Sequence, residues 1–173
     1  MWTKDKKLLE ERLASSLQGK LEYKMEGGRK TSSGLTYKVD IIYNDECILS
    51  FSEGLDYLCG RYESDLRQKI SNIQWTKEES HMLFLKYQGE MWFREEYTTS
   101  IFFKGMKEYL SLPIDKALAH EQYMIRFFAI LDRRCGKRRL KNMISEIKNY
   151  PNALQMVYKL RLKSEGILIK TEN

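Results

Sequence analysis

The sequence lacks the residue patterns on which most metal sites and disulfide frameworks depend. Its 173 residues include two histidines and three cysteines. No Cys-x-x-Cys or His-x-x-x-His occurs, so the ligand spacings of structural zinc sites are missing. The cysteines Cys47, Cys59 and Cys135 are odd in number and widely spaced, which fits a reducing cytoplasm better than a disulfide-bonded secreted protein. We therefore expect no metal, no cofactor and a cytoplasmic location.

Long hydrophobic runs and phosphate-binding loops are also missing. No stretch approaches the roughly 18 consecutive apolar residues of a membrane helix. The basic start of the chain is not followed by the apolar block of a secretory signal, so we expect no membrane partner. The nearest phosphate-loop candidate, Gly27-Gly28-Arg29-Lys30, lacks the Walker spacing and lies between predicted strands. Paired glycines there predict a turn, with an anion-binding loop as the alternative.

Positive charge is concentrated in the last third of the chain. The net charge is +6. From residue 113 onward there are 13 Lys plus Arg against 6 Asp plus Glu, a net of +7, whereas residues 1–112 carry 17 against 18, a net of −1. A cationic surface attracts anionic partners without identifying them. A solvated surface that merely happens to be basic is the commoner explanation.

The first half of the chain predicts a helix followed by an antiparallel meander. Residues 3–18 place Leu9, Leu13 and Leu17 at helical spacing, and Gly19 suits the helix end. Apolar residues then alternate, and Asn44-Asp45 is typical of a hairpin turn. The predicted strands are residues 21–25, 35–43 and 47–51, and a further helix is predicted over residues 54–70.

The second half predicts helices alone. Thr76 to Glu79 matches a capping box whose helix ends at Gln88, before an aromatic connection at 91–93. A helix over 95–110 and a short helix after Pro113 follow. Three further helices of roughly 12 to 16 residues are separated by Gly136 and Pro151. The predicted fold is α+β: a single unit over 1–173, with a helix-and-meander part at 1–72 and a helical part at 73–173.

Catalytic groups are sparse. A Cys-His pair assembled in space stays open, and the cations around Cys135 would lower its thiol pKa unless that thiol is packed in the core. The carboxylate pairs Glu78-Glu79 and Glu95-Glu96 lie near predicted helix starts, where the helix dipole alone favours them. We assign no catalytic residue. The dense aromatic residues predict core packing, with a ligand groove beside Trp92 as the alternative: Trp75, Phe84, Tyr87, Trp92, Phe93, Tyr97, Phe102, Phe103 and Tyr109.

The stretch from Leu131 to Leu140 is the strongest functional candidate. It carries five cations in seven positions around Gly136, between two apolar helical patterns. The pattern places Arg134 in the last turn of the first helix, and it turns Leu140, Met143, Ile144 and Ile147 inward on the second. The candidate binding residues for an anion or a partner are Arg133, Arg134, Lys137, Arg138, Arg139 and Lys141.

Three interpretations of these cations compete. They can brace the fold by pairing with internal carboxylates such as Asp132. They can bind an acidic protein partner. They can also bind nucleic acid, although Lys and Arg alone would give mainly phosphate contacts. The function we favour is a non-enzymatic intracellular binding or adaptor protein with an acidic partner. The alternatives are a nucleic-acid-binding protein and, third, an enzyme with an assembled site.

Four sequence strings together resemble a bacterial family of small uncharacterised proteins. They are Met1-Trp-x-Lys4, Ser16-Leu-x-Gly-Lys-Leu-Glu-Tyr23, Tyr109-Leu-x-Leu-Pro-Ile-Asp-Lys-Ala-Leu118 and Leu131-Asp-Arg-Arg-x-Gly-Lys-Arg-Arg-Leu140. The resemblance is weakest between Ser52 and Trp92. The family has no established activity, cofactor or catalytic residue, so the resemblance implies one continuous bacterial cytoplasmic unit and no specific chemistry.

Overall fold

The described residues build an antiparallel sheet followed by helices. A computed structural model describes residues 2–31, 34–52 and 76–167. The elements are α1 (Trp2–Arg12), β1 (Leu21–Thr31), β2 (Gly34–Tyr43), β3 (Glu46–Ser52), α2 (Lys77–Phe93), α3 (Thr99–Ser111), α4 (Ile114–Leu118), α5 (Tyr123–Leu131), α6 (Lys137–Asn142), α7 (Ile144–Ile147) and α8 (Asn152–Ser164). The predicted α+β fold is confirmed. The predicted helix over 54–70, with Cys59, and Trp75 lie outside the described residues.

The sheet is a meander in which β2 pairs antiparallel with β1 and β3. Asn44 and Asp45 have φ of 49° and 67°, as a type I′ hairpin turn requires, so the predicted turn is confirmed. The predicted turn at Gly27-Gly28 is wrong. Strand β1 continues to Thr31, and the register shift between Gly27 and Arg29 makes position 28 a β-bulge.

One face of the sheet forms part of the core. Alternation along the strands buries Tyr23, Val39, Ile41 and Phe51 almost completely. The ring of Phe102, from α3, lies 5.1 Å from the ring of Phe51 and 6.2 Å from that of Tyr23. Residues of the sheet and of the C-terminal helices therefore belong to one hydrophobic cluster.

Helix α5 is the most deeply buried element. From Met124 to Leu131 only Arg126 is not fully buried, which confirms the apolar periodicity. Gly105 of α3 faces this helix, and a Cβ there would come within 2.6 Å of the Met124 side chain. Only glycine permits so close an approach of α3 to α5. This packing holds α3 against the N-terminal end of α5.

Several predicted helix boundaries were wrong, although the helices exist. The capping box at Thr76 and Glu79 is confirmed, but α2 runs through Gly89 to Phe93, so residues 91–93 are helical. Pro113 and Pro151 precede helices, as predicted. The long helix predicted after Gly136 is broken at Met143 into α6 and α7.

The first helix is also shorter than its leucine pattern predicts. Helix α1 ends at Arg12, and the chain reaches Gly19, with φ of 71°, through turns. Leu13 and Leu17 are nevertheless buried. The i, i+4 pattern correctly identified the buried side chains, whereas the backbone leaves the helix because it pairs with a distant segment.

Candidate functional site

The connection between α5 and α6, residues 132–136, pairs with the backbone that follows α1. We call this connection the joint. Leu13 and Asp132 form an isolated antiparallel bridge. The Arg133 N–H donates to the Arg12 carbonyl at 2.8 Å, and the Ala14 N–H donates to the Leu131 carbonyl at 3.0 Å. The residues that follow α1 therefore hold the joint in place by backbone hydrogen bonds.

Asp132 is the buried centre of the joint. Its side chain is 0% exposed. The Tyr109 hydroxyl donates to Oδ2 at 2.5 Å, and the Arg134 backbone N–H donates to Oδ1 at 2.7 Å. Burial raises the pKa of Tyr109, and the hydrogen bond to Asp132 raises it further. A buried carboxylate is stable only when paired and hydrogen-bonded in this way.

Arg134 supplies the positive charge for this carboxylate. Its Nε and Nη2 lie 2.9 Å and 2.6 Å from Oδ2 of Asp132, and this hydrogen bonding raises the pKa of Arg134. Sequence analysis placed Arg134 in the last turn of α5, which is wrong, since α5 ends at Leu131. Its Nη1 instead donates to the Leu112 carbonyl at 3.3 Å, beyond the C-terminal end of α3.

Arg12 serves the same helix end. Its Nη1 and Nη2 donate to the carbonyls of Tyr109 and Leu110 at 3.2 Å and 2.7 Å. Carbonyls in the last turn of a helix have no intrahelical partner, and cations there are favoured by the dipole. Arg12 and Arg134 thus both bind carbonyls at the C-terminal end of α3. They come from the end of α1 and from the joint, which are already connected by backbone hydrogen bonds.

Arg139 is also held by a carboxylate. Its Nε and Nη2 donate to the two oxygens of Asp115 at 2.8 Å and 3.0 Å, a bidentate pair that connects α6 to α4. The hydrogen bonds from Arg139 lower the pKa of Asp115. Because both side chains are substantially exposed, this contact stabilises less than the Asp132 pair does.

A second brace contains a buried cation that sequence analysis missed. Arg161 of α8 is 2% exposed and donates to Ser16 Oγ at 2.9 Å and to the Cys135 carbonyl at 3.3 Å. It also pairs with Glu165, one helical turn further on. The available signal was its place at the end of the buried stripe Val157, Tyr158, Arg161, because a cation on an inward face requires partners.

Three of the six candidate cations have no such partner. Arg133, Arg138 and Lys141 are exposed, and within the described ranges none of them has an ion pair or a side-chain hydrogen bond. Lys137 is exposed too, but its Nζ donates to the Glu165 carbonyl at 3.1 Å, at the end of α8. We call Arg133, Arg138 and Lys141 the free cations.

The inward face of α6 and α7 is only partly as predicted. Leu140 and Ile147 are buried and Met143 is partly buried. Ile144 is 44% exposed, so its predicted inward orientation is wrong. The break at Met143 gives the following turn, which contains Ile144, a different orientation from that in one continuous helix. The same break shortens α6, so the free cations Arg138 and Lys141 lie on a helix of only six residues.

Cys135 does not have the reactive environment that its cationic neighbours suggested. The residue is fully buried, and burial raises its pKa to about 11, against the opposing effects of Arg161 and Arg139. The thiolate is the reactive species, so the structure supports the interpretation in which Cys135 is a thiol packed in the core. Trp92 is likewise 1% exposed, so it packs in the core and does not line an open groove.

A cleft of about 500 Å³ lies between the C-terminal end of α1 and the hairpin turn. The described residues that line it include Glu10, Gln18, Lys20, Glu22 and Asp45, and no histidine or cysteine is among them. No group of three or more metal-ligating side chains occurs in the part of the chain that the structure describes. No described helix is long and apolar enough to cross a membrane.

Comparison with known proteins identifies a family. The model of the SF0329 protein family matches residues 1–162, which include both halves of the fold and the whole joint. No curated protein and no solved structure matches the chain. The family description states no activity, so functional inference depends on the geometry of the joint.

Proposed function

We propose that this chain, which belongs to the SF0329 protein family, is a non-catalytic binding protein that captures an acidic segment of a partner protein on the joint and the adjoining helix α6. The free cations Arg133, Arg138 and Lys141 carry the proposal. They are exposed on a backbone whose neighbouring cations, Arg134 and Arg139, are already paired with carboxylates. Charges on a braced backbone bind with less loss of conformational freedom than charges on a loose loop.

An acidic protein segment fits this surface better than DNA. Helix α6 has six residues and is about 9 Å long at 1.5 Å per residue. Arg139 is occupied by Asp115 and Lys137 by the Glu165 carbonyl, so Arg138 and Lys141 are the cations that α6 leaves available. If about three cations contacted phosphates, the logarithm of the DNA-binding constant would fall with the logarithm of the salt concentration with a slope near −2.7. This dependence is much less steep than that of a dedicated DNA-binding protein.

The proposal includes a cytoplasmic location and a single working unit. The thiols of Cys47 and Cys135 are free, which supports a reducing environment. One hydrophobic cluster contains residues from both 1–72 and 73–173, which supports folding as one unit. The net charge of +6 would accelerate capture of an acidic segment.

A direct test measures fluorescence anisotropy with a labelled glutamate-rich peptide and, separately, with a short DNA duplex. The variant Arg133→Gln/Arg138→Gln/Lys141→Gln removes the free cations. The matched control Lys4→Gln/Lys86→Gln/Lys107→Gln removes three exposed lysines on α1, α2 and α3, and both triple variants carry +3 instead of +6.

We expect the joint variant to weaken peptide binding about tenfold, at about 0.5 kcal/mol for each exposed charge. The control variant should bind nearly as well as wild type, and added salt should weaken binding. Equal losses in the two variants would mean that net charge alone attracts the peptide. Tight, steeply salt-dependent binding of the duplex, with none of the peptide, would replace the proposal with nucleic-acid binding.

A further inference from the structure

We propose that β1 is the docking edge for a second copy of this chain. Two β1 strands would pair antiparallel about Met25 and join two three-stranded sheets into one of six strands. The inference uses a surface of the sheet, not the joint, and goes beyond the proposed function. Three features of β1 support it. The strand has an open edge, its charges are complementary to those of a second copy, and its bulge limits the length of the pairing.

Strand β1 lies at one edge of the sheet, whose order is β1-β2-β3. At the other edge, Ser52 at the end of β3 already pairs with Thr98, and its N–H donates to the Tyr97 carbonyl at 3.0 Å. Residues 22–27 of β1 have backbone partners only in β2, within the residues that the structure describes. Their remaining N–H and C=O groups form a template for another strand.

The charges on this edge favour one register of self-pairing. Glu22, Lys24 and Glu26 are exposed on the face of β1 opposite the core. In an antiparallel pair centred on Met25, Lys24 of each copy lies opposite Glu26 of the other, and opposite charges across a pair are stabilising. Centring the pair on Lys24 would oppose two lysines and place Glu22 against Glu26. A one-residue slip would bring core-facing residues against solvent-facing ones.

The core-facing side of β1 accommodates the same register. Met25 is only partly buried and packs against the core, so two Met25 side chains would meet and cover each other. Tyr23 would lie opposite Gly27 of the second copy, a residue without a side chain. Residues 23–27 of each copy would therefore pair with residues 27–23 of the other, without a clash between bulky groups on this face.

The bulge at position 28 ends the regular part of β1 and limits the length of the contact. Pairing of this length buries less than the ~1,200 Å² of a standard interface. We therefore expect a reversible dimer with a dissociation constant in the micromolar range. Pairing about a two-fold axis uses the β1 edge of both copies, so this contact closes at a dimer.

Sedimentation velocity over about 1 to 500 µM protein tests the inference, because this range brackets a micromolar dissociation constant. We expect wild type to shift from monomer to dimer. Lys24→Glu and Glu26→Lys should each abolish the shift by opposing like charges. The double variant Lys24→Glu/Glu26→Lys should restore it, while Lys86→Glu should leave it intact. The double variant also preserves the ion pair of 3.0 Å between residues 24 and 26 within the chain, which separates dimerisation from folding.

A wild-type protein that stays monomeric throughout this range would overturn the inference. So would a dimer that persists in both single variants, because it would then use another surface. Failure of the double variant to dimerise, while it melts at the wild-type temperature, would reject the register. Each outcome is independent of peptide binding at the joint.

Discussion

Asp132 and Arg134 form an ion pair whose carboxylate is fully buried, with Oδ2 of Asp132 2.6 Å from Nη2 of Arg134. The residue between them, Arg133, is exposed and has no side-chain partner in the described part of the chain. The adjacent cations Arg133 and Arg134 therefore have different roles. One neutralises an internal charge, and the other is available to a partner.

The Arg139–Asp115 contact should behave as a coupled surface pair. Asp115→Asn, Arg139→Gln and the double variant should lower the melting temperature by similar small amounts, because each removes the same interaction. Added salt should erase the differences, since both side chains are exposed. Additive losses in the double variant would show that the two residues act separately.

Glu165 should contribute stability above its unfolded pKa and lose it in acid. Although burial alone raises its pKa, hydrogen bonds from Arg161 and Ser16 outweigh that effect and lower it. A lowered folded-state pKa means that the contribution is complete above the unfolded value of about 4.3 and disappears as pH falls through the folded value. Urea unfolding of wild type and Glu165→Gln should therefore differ at pH 7 and converge towards pH 3. A constant difference would contradict this assignment.

Cys135 should be unreactive until the chain unfolds. Burial excludes reagents and raises its pKa to about 11, so little thiolate exists near pH 8. A Cys47→Ser/Cys59→Ser variant isolates this thiol. We expect no reaction with a disulfide reagent in the native state and complete reaction in guanidinium chloride. Rapid native labelling would show that the joint opens or that the thiol is accessible.

The sequence was sufficient to predict the order of the elements and most of the buried positions. Alternation and the Asn44-Asp45 turn identified the meander, because both signals are local. Gly27-Gly28 was misassigned since paired glycines serve turns and bulges alike, and the choice depends on pairing with β2.

Which cations of the basic run are paired and which are free could not be predicted, because the pairing depends on residues that are distant in sequence. The Asp132 partner of Arg134 was foreseen, whereas Tyr109 and Leu112 lie more than twenty residues away. Asp115 likewise lies 24 residues before Arg139. Arg161 was missed because Arg161 and its partners Ser16 and Cys135 lie in three different segments of the chain.

The most direct test of the division between bracing and free cations is a comparison of Arg134→Gln with Arg138→Gln by urea unfolding at neutral pH. Arg134→Gln leaves the buried carboxylate of Asp132 without its cation, although Tyr109 and a backbone N–H remain. We expect it to lower the free energy of unfolding by about 2 kcal/mol. Arg138→Gln should change it by less than about 0.5 kcal/mol, as is usual for an exposed residue. Equal effects of the two substitutions, or a larger effect of Arg138→Gln, would contradict the account.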